Sequence, residues 1–257
     1  MMCLRRFAGV LRLGCGKEIK ETQVVRYRGT KPGKAVKPGT ELRILCVGDS
    51  ITVGFLSDQD GGDGNGYRLR LLGDLSQDQV VYAGTESGGT MKDGYFAAWS
   101  GKTIQFITAN VGPSLAQRPN VVLIHAGTND MNSSKTISTE GNDPVAAAKR
   151  LGLLIDLVIE SCPDATILVA MIVGTWDPAQ ADRTHKFNAL VPGVVKQRRD
   201  RRVLAVDFTS FPNKLLRDGV HPTNEGYQVF GDYWYDFVTQ IPEEWIQHPV
   251  GNDPDRW

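Results

Sequence analysis

Five short apolar runs, each stopping abruptly at small or polar residues, dominate the pattern of the chain. They lack the alternation of apolar and polar positions that a half-exposed strand shows. Their richness in Val, Ile and Leu is typical of parallel strands buried on both faces of a sheet. The runs are LRILCV at 42–47, VVYA at 80–83, VVLIHA at 121–126, ATILVAMIV at 165–173 and RVLAVDF at 202–208.

Segments with helical spacing lie between these runs. The clearest is 143–162, where Asp143 precedes Pro144 as an N-cap and apolar positions recur every three or four residues. The others are 67–75, 102–110, 183–199 and 224–240. The alternation predicts an α/β protein, namely a doubly wound three-layer α/β/α sandwich around a five-stranded parallel sheet with right-handed crossovers.

Chemically capable residues follow three of the five runs. Ser50 comes after the first run in GDSIT, and Asn129 comes after the third in GTND. Asp218 and His221 follow the fifth run in DGVHP. Because ligands of open α/β sheets bind beyond the carboxyl ends of the strands, we expect these stretches to form one site.

These residue types suit nucleophilic acyl transfer. A serine hydroxyl is a weak nucleophile until a base takes its proton, and His221 can exchange a proton near neutral pH. Asp218 can bond the imidazole Nδ1 and stabilise the imidazolium. Taken singly, a serine at this place more commonly caps a helix, and Asp218 and His221 more commonly belong to an ordinary loop. Their joint occurrence favours a catalytic site.

Acyl transfer also needs hydrogen-bond donors for the oxyanion, worth roughly 3–4 kcal/mol each. Asn129 offers a side-chain amide, although an Asn-Asp pair after a strand also suits a plain turn. A glycine N–H is the expected further donor. We prefer Gly101, which is predicted to open a helix and should therefore have an unpaired N–H, with Gly88 as the second candidate.

The blocks GDSIT, GTND and DGVHP, in this order, resemble the SGNH (GDSL-type) hydrolase superfamily, which is named for its Ser, Gly, Asn and His. The resemblance covers about residues 42–240. It implies a flavodoxin-like fold and a serine esterase that needs no metal or other cofactor. Residue by residue it implies a triad of Ser50, Asp218 and His221, with an oxyanion hole formed by Ser50, Gly101 and Asn129.

Within that superfamily the chain is similar to carbohydrate esterase family three, the acetylxylan-esterase-like branch. The stretches that carry this similarity are GDSITVG, GYRLRL, SGKTI, VVLIHAGTNDM and DGVHPTNEGY. The similarity implies hydrolysis of short-chain acyl esters, acetyl above all, on carbohydrate. That branch often has an aromatic residue at the position of Lys102, so the substrate wall is expected to differ there.

Three residues are candidates for substrate binding. Trp176 follows the fourth run and offers an aromatic face that suits a sugar ring. Lys102 and Arg68 lie in segments expected near the cleft. Two other functions stay open on the same site: a lipid-directed esterase or lysophospholipase, and a non-catalytic carbohydrate-binding relative.

Composition and charge narrow the partners further. The chain has 257 residues, 41% hydrophobic and 23% charged, which is ordinary for a globular protein. The formal net charge of zero argues against nucleic acid, so the expected partner is a small-molecule or oligosaccharide ester. Residues 1–40 carry ten basic and two acidic side chains. We predict a basic, poorly ordered arm at 1–40, a hydrolase domain at 41–241 and a tail at 242–257.

The sequence carries no clear targeting segment. No apolar run approaches the ~20 residues of a membrane helix. Arg5, Arg6 and Arg12 interrupt what would be the apolar core of a secretory signal. The default expectation is a cytoplasmic protein, or a secreted one if the true start lies elsewhere. The four cysteines have neither disulfide nor zinc spacing, and the sequence does not indicate an oligomeric state.

Overall fold

A single sheet with helices on both faces organises the chain. The computed structural model describes residues 24–198 and 201–254. Residues 1–23 of the predicted arm and the last three residues of the predicted tail lie outside the described residues.

Eight strands form the sheet among the described residues, where five were predicted. They are β1 (Val25–Arg26), β2 (Glu41–Gly48), β3 (Gln79–Ala83), β4 (Glu86–Ser87), β5 (Tyr95–Ala98), β6 (Val121–His125), β7 (Thr166–Met171) and β8 (Val203–Asp207). All five predicted runs are strands, and all of them pair in parallel. The three additional strands have two to four residues, and only the β4–β5 pair is antiparallel among the described pairs.

The strand order places a topological switch point at the centre of the sheet. Strands run β1-β8-β7-β6-β2, and β2 then pairs along its other edge first with β3 and, farther on, with β5. Connections therefore wind in opposite directions from β2, as in flavodoxin-like folds, and in such folds ligands bind where the two central strands, here β2 and β6, end. The predicted doubly wound α/β class is confirmed.

Seven helices accompany the described strands. They are α1 (Ser50–Val53), α2 (Arg68–Asp74), α3 (Ile104–Asn110), α4 (Gly112–Leu115), α5 (Pro144–Ser161), α6 (Pro178–Lys196) and α7 (Asn224–Val238). Two short 3₁₀ turns occupy Asn213–Leu215 and Glu243–Trp245. Asp143 caps α5 as predicted, since its carboxylate accepts from the Ala146 N–H. Helix α6 starts five residues before the predicted 183 because Asp177 and Pro178 form the same kind of start.

Two hydrophobic clusters sandwich the sheet. Successive side chains of a strand point to opposite faces. Leu42, Ile44 and Cys46 accordingly join the cluster beneath α2 and α7, whereas Leu45 and Val47 join the cluster beneath α3, α5 and α6. Both faces of β2 are thus buried, which explains why its sequence is apolar without alternation.

Residues 24–40, which the sequence assigned to the arm, contact the body of the protein. Strand β1 pairs with β8, and Asp236 on α7 accepts from the backbone N–H groups of Arg28 and Thr30 at 3.0 and 2.8 Å. Farther along, the Val36 N–H donates to Asp78. This part of the predicted arm therefore packs against the sheet and α7.

The tail after α7 crosses the amino-terminal ends of the strands. Arg43, near the start of β2, donates to the carbonyl oxygens of Val250 and Gly251. Asn120, just before β6, donates to the Gln247 carbonyl, and Thr166, at the start of β7, donates to the Trp245 carbonyl. The tail therefore covers the end of the sheet opposite to the switch point.

Candidate active site

The turn from β2 into α1 presents Ser50 at the switch point. Asp49 caps α1 by accepting from the Ile51 N–H at 3.1 Å, and Ser50 is the first helical residue. Gly48 is required just before this turn, because a Cβ there would lie 2.4 Å from the His125 carbonyl oxygen of β6. Close approach of the two strands therefore fixes the start of the helix beside the end of β6.

His221 lies within bonding distance of the Ser50 hydroxyl. Its Nε2 is 2.9 Å from Ser50 Oγ, although 171 positions separate the two residues. Its Nδ1 is 2.7 Å from Asp218 Oδ2. With the proton on Nδ1, the imidazole donates to Asp218 and can accept the serine proton. The three side chains thus form a continuous hydrogen-bonded relay.

The loop carrying Asp218 and His221 is held by its own backbone. Asp218 Oδ1 accepts from the N–H groups of Val220 and His221 at 3.0 and 2.8 Å, which leaves Oδ2 for the imidazole. Gly219 adopts a left-handed φ of 86°, the conformation that glycine tolerates best. Partial burial disfavours the Asp218 carboxylate, but these hydrogen bonds outweigh it and lower the pKa of Asp218 below its usual value.

Asn129 lies next to the segment that contains Gly101. Its side-chain amide donates to the Lys102 carbonyl at 2.9 Å, which uses one of the two amide protons. On the other side, the Trp99 N–H donates to the Gly48 carbonyl at 3.2 Å. Residues 99–102 therefore lie between the end of β2 and Asn129, beside the serine.

The two glycine candidates differ in what their N–H groups already do. The Gly88 N–H donates to the Gly94 carbonyl at 3.2 Å. No acceptor among residues 24–198 and 201–254 is bonded to the Gly101 N–H. Gly101 does not open a helix as predicted, because α3 begins at Ile104 and Gly101 lies in an exposed turn with φ of 74°. Its N–H stays free for that different reason.

Two of the three candidate substrate-binding residues, Trp176 and Lys102, are exposed. Trp176 is 53% exposed, and its indole donates to the Asn213 carbonyl while its ring packs against Gly219. Lys102 is exposed, with its ammonium 4.8 Å from the centre of the Phe106 ring. Both residues lie at the rim of the site.

Arg68 does not line the cleft, contrary to prediction. Its side chain is fully buried, and its guanidinium donates to the carbonyl oxygens of Thr52, Val53 and Gly88. These bonds connect helix α1 to the loop before β5, so the side chain of Arg68 lies beneath α1 and not in the cleft.

Phe55 is a site residue that the sequence patterns did not single out. Its ring is 4.8 Å from the His221 imidazole, centre to centre, and is 44% exposed. The Phe55 N–H donates to the Ser50 carbonyl, and the Phe55 carbonyl accepts from the Tyr227 hydroxyl. Its place five residues after Ser50 was the available signal, since a chain that turns back after one helical turn remains beside the nucleophile.

Two further ionisable groups near the site have pKa values shifted by burial. Burial raises the pKa of Asp49 to about 6, against the hydrogen bond from Ile51. Burial lowers the pKa of His125 to about 3, so this imidazole in β6 is neutral. It packs edge-on against Phe208 and Phe230, as expected for a core histidine.

Among the described residues there is neither a grouping of side chains suited to a metal ion nor a helix suited to spanning a membrane. No three His, Cys, Asp or Glu side chains there are grouped as a metal ion would require. None of the described helices combines the length and the apolar character needed to cross a membrane.

The fold and this set of side chains define a class of protein: three-layer α/β/α proteins that carry a serine, hydrogen-bonded to a histidine, directly after the first central strand. The profile of the GDSL-like lipase/acylhydrolase family matches residues 46–229. The chain belongs to this family.

Several known proteins are similar to this chain in sequence or in fold. The multidomain esterase of Ruminococcus flavefaciens is 26% identical over 225 residues, which is 77% of this chain and 28% of that protein. The chain thus spans less than a third of that relative. The family 3 carbohydrate esterase of Clostridium thermocellum is 25% identical, with a TM-score of 0.63 over 79% of this chain and 99% of that one.

A second solved structure is also similar in fold. The carbohydrate esterase of family 3 from Talaromyces cellulolyticus has a TM-score of 0.64, with 20% identity and the same coverage of both chains. These matches confirm the predicted resemblance to GDSL-type hydrolases and to carbohydrate esterase family three.

Proposed function

We propose that the protein is a serine esterase that removes short acyl groups, most of all acetyl, from carbohydrate. The observation that carries the proposal is the relay from Asp218 through His221 to Ser50, with contacts of 2.7 and 2.9 Å. A serine, a histidine and a carboxylate in this order form a recurrent arrangement for acyl transfer on unrelated folds.

In the first half-reaction the acyl group moves to the enzyme. His221 Nε2 takes the Ser50 proton as Oγ attacks the ester carbonyl, and the carbonyl oxygen becomes an oxyanion. The N–H groups of Ser50 and Gly101 and the remaining amide proton of Asn129 stabilise this charge. The imidazolium then protonates the leaving alcohol, and the carbon–oxygen bond to the alcohol breaks.

In the second half-reaction water replaces the alcohol. His221 removes a proton from water, and the resulting oxygen attacks the acyl carbon of the Ser50 ester. The same donors hold the second oxyanion. The imidazolium returns its proton to Ser50 Oγ, the acid leaves, and the free enzyme is restored.

The exposed rings beside His221 support a carbohydrate alcohol. Trp176 and Phe55 are both about half exposed and flank the loop that carries the imidazole. The Trp176 ring is held by its bond to Asn213, so its face is preorganised. Rigid aromatic faces suit the apolar face of a pyranose ring, and similar proteins are named as carbohydrate esterases.

An ester panel tests the proposal. We expect acetylated xylooligosaccharides to be hydrolysed, and we expect p-nitrophenyl esters to lose kcat/KM as the acyl chain lengthens from two carbons to eight. Trp176→Ala should raise KM for the oligosaccharides about three- to tenfold, the effect of losing one aromatic contact. It should leave the hydrolysis of ethyl acetate unchanged, because that alcohol has no ring.

Leu153→Ala is the matched control, since Leu153 is an exposed apolar residue on α5 away from the relay. Leu153→Ala should change the hydrolysis of neither the oligosaccharides nor ethyl acetate. Activity that rises with acyl length would favour the lipid-directed esterase instead. Sugar binding without turnover of any ester would favour the non-catalytic relative.

Asn129→Ala tests the oxyanion role. Because the amide would bond the transition state more strongly than the substrate, its removal should lower kcat by about 10²–10³ and leave KM little changed. Steady-state kinetics with p-nitrophenyl acetate measure both quantities.

Asn110→Ala is the control for this variant, because the Asn110 amide likewise donates to a backbone carbonyl, that of Phe106, but is exposed at the far end of α3. It should retain wild-type kcat. An unchanged kcat in Asn129→Ala would remove Asn129 from the oxyanion hole.

A further inference from the structure

A fully buried carboxylate lies between the two loops that carry the proposed oxyanion donors. Asp130, the residue after Asn129, is completely inaccessible to solvent. Its Oδ2 accepts from the Ile104 N–H at 2.9 Å, the first donor of helix α3. Asp130 thereby ties the end of the GTND loop to the segment that follows Gly101.

Arg150 on helix α5 binds the other oxygen of this carboxylate. Its Nε and Nη2 lie 3.0 and 2.8 Å from Asp130 Oδ1, and only 11% of the arginine side chain is exposed. Buried ion pairs of this kind are costly to break, because the remaining charge loses its partner. The pair therefore holds Asp130 in one place relative to α5.

The two loops are joined at adjacent residues. Asn129 Nδ2 donates to the Lys102 carbonyl, and Asp130 Oδ2 accepts from the Ile104 N–H, so two bonds cross between 129–130 and 102–104. One of the bonded groups, the Asn129 amide, is itself a proposed donor, and the other proposed donor, Gly101, precedes Lys102 directly. A shift of Asp130 would therefore move both donors relative to Ser50.

We propose that the Asp130–Arg150 ion pair is a positioning element that sets the distance between the Gly101 and Asn129 donors of the oxyanion hole. The inference rests on the proposed esterase function. Neither side chain touches the substrate. The pair acts through Asn129 and through the turn at 101–103, which it keeps in the geometry that the developing oxyanion requires.

The positive charge of Arg150 has a second, electrostatic effect on the proposed oxyanion hole. A carboxylate one residue from an oxyanion donor would repel the negative charge that develops on the substrate. Burial raises the pKa of Asp130, and the Ile104 N–H and the Arg150 guanidinium counteract that rise, while the charge of Glu140 adds to it. The positive charge of Arg150 thus compensates the negative charge of Asp130. The oxyanion therefore does not face an unpaired negative charge nearby.

Arg150→Met tests the inference, because methionine fills similar space without charge or donors. A displacement on the scale of 1 Å can cost about 100-fold in turnover. We therefore expect kcat for p-nitrophenyl acetate to fall at least about tenfold while KM stays within about twofold. Arg150→Lys retains the charge but not the planar pair of donors and should be intermediate.

A double variant separates positioning from general stability. If Arg150 acts through Asn129, then Arg150→Met should lower kcat far less in an Asn129→Ala background than in the wild type. The matched control is Arg198→Met, which breaks a partly buried pair between Arg198 and Asp156 of α5, outside the two donor loops. This control should lower the melting temperature and leave kcat unchanged.

The outcomes distinguish two failures. A wild-type protein that hydrolyses no ester overturns the proposed function and this inference together. An active wild type with unchanged kcat in folded Arg150→Met overturns the inference alone. Additive losses in the double variant would show that the pair does not act through Asn129 and would overturn the inference as stated. An equal loss of kcat in Arg198→Met would show that the Asp130–Arg150 pair only stabilises the fold.

Discussion

Ser50→Ala is expected to lower kcat for p-nitrophenyl acetate by about six orders of magnitude, the size of effect seen when a triad serine is removed. Ser50 Oγ is the only atom of the relay that would bond the acyl carbon, so no acyl-enzyme can form without it. The Ser50 N–H remains in the variant, since alanine keeps the backbone. Any residual rate would come from the oxyanion donors and from binding alone.

The control for this change is Ser76→Ala, which removes an exposed hydroxyl from a turn after α2. It should match the wild type in turnover and in circular dichroism. The Ser50→Ala protein must show the same melting behaviour for the comparison to hold. A folded Ser50→Ala protein that still hydrolyses the ester at a comparable rate would refute the nucleophile assignment.

Asp218→Asn is expected to lower kcat by about 10⁴ without unfolding the loop. The asparagine oxygen can still accept from the N–H groups of Val220 and His221, as Asp218 Oδ1 does now. The amide nitrogen would take the place of Oδ2 and donate to Nδ1. The imidazole would then carry its proton on Nε2 and face Ser50 as a donor, the wrong tautomer for a base.

Asp143→Asn is the matched control, because Asp143 also accepts a backbone N–H at a loop but lies at the start of α5. Asparagine caps helices as well as aspartate does, so stability and turnover should both be retained. Measurement of kcat against pH for both variants completes the test. An Asp218→Asn protein with wild-type kcat would remove Asp218 from the proposed relay.

The central sheet was predictable from sequence because each long strand is buried on both faces. Strands β2, β6, β7 and β8 therefore appear as continuous apolar runs. Strands β1 and β4 have two residues each, which is too short for any periodicity to register. Strand β5 has four residues, YFAA, whose pairing with the end of β2 depends on tertiary contacts.

Those residues of the candidate site whose side chains suit acyl transfer were predictable from the sequence. Ser50, Asn129, Asp218 and His221 lie in segments that follow the carboxyl ends of β2, β6 and β8, and the switch-point rule brings such segments together. Arg68 was a candidate for the cleft because its segment was expected there, whereas three carbonyl oxygens bind its buried guanidinium. Phe55 carries no chemical signal of its own, and only folding places it against the imidazole.

Along one edge of β2 the neighbouring strand changes from β3 to β5, and this change limits which sequence changes can disturb the site. Strand β3 accompanies β2 only as far as Leu45, and β5 takes over at Val47 and Gly48. The distance between Gly101 and Ser50 is therefore set by the pairing of β5 with the end of β2. It does not depend on the length of the chain between β3 and β5. Insertions or deletions between β3 and β5 that keep the hydrogen bond from Arg68 to Gly88 should change the shape of the rim of the site. They should leave the positions of Ser50 and Gly101 relative to each other unchanged.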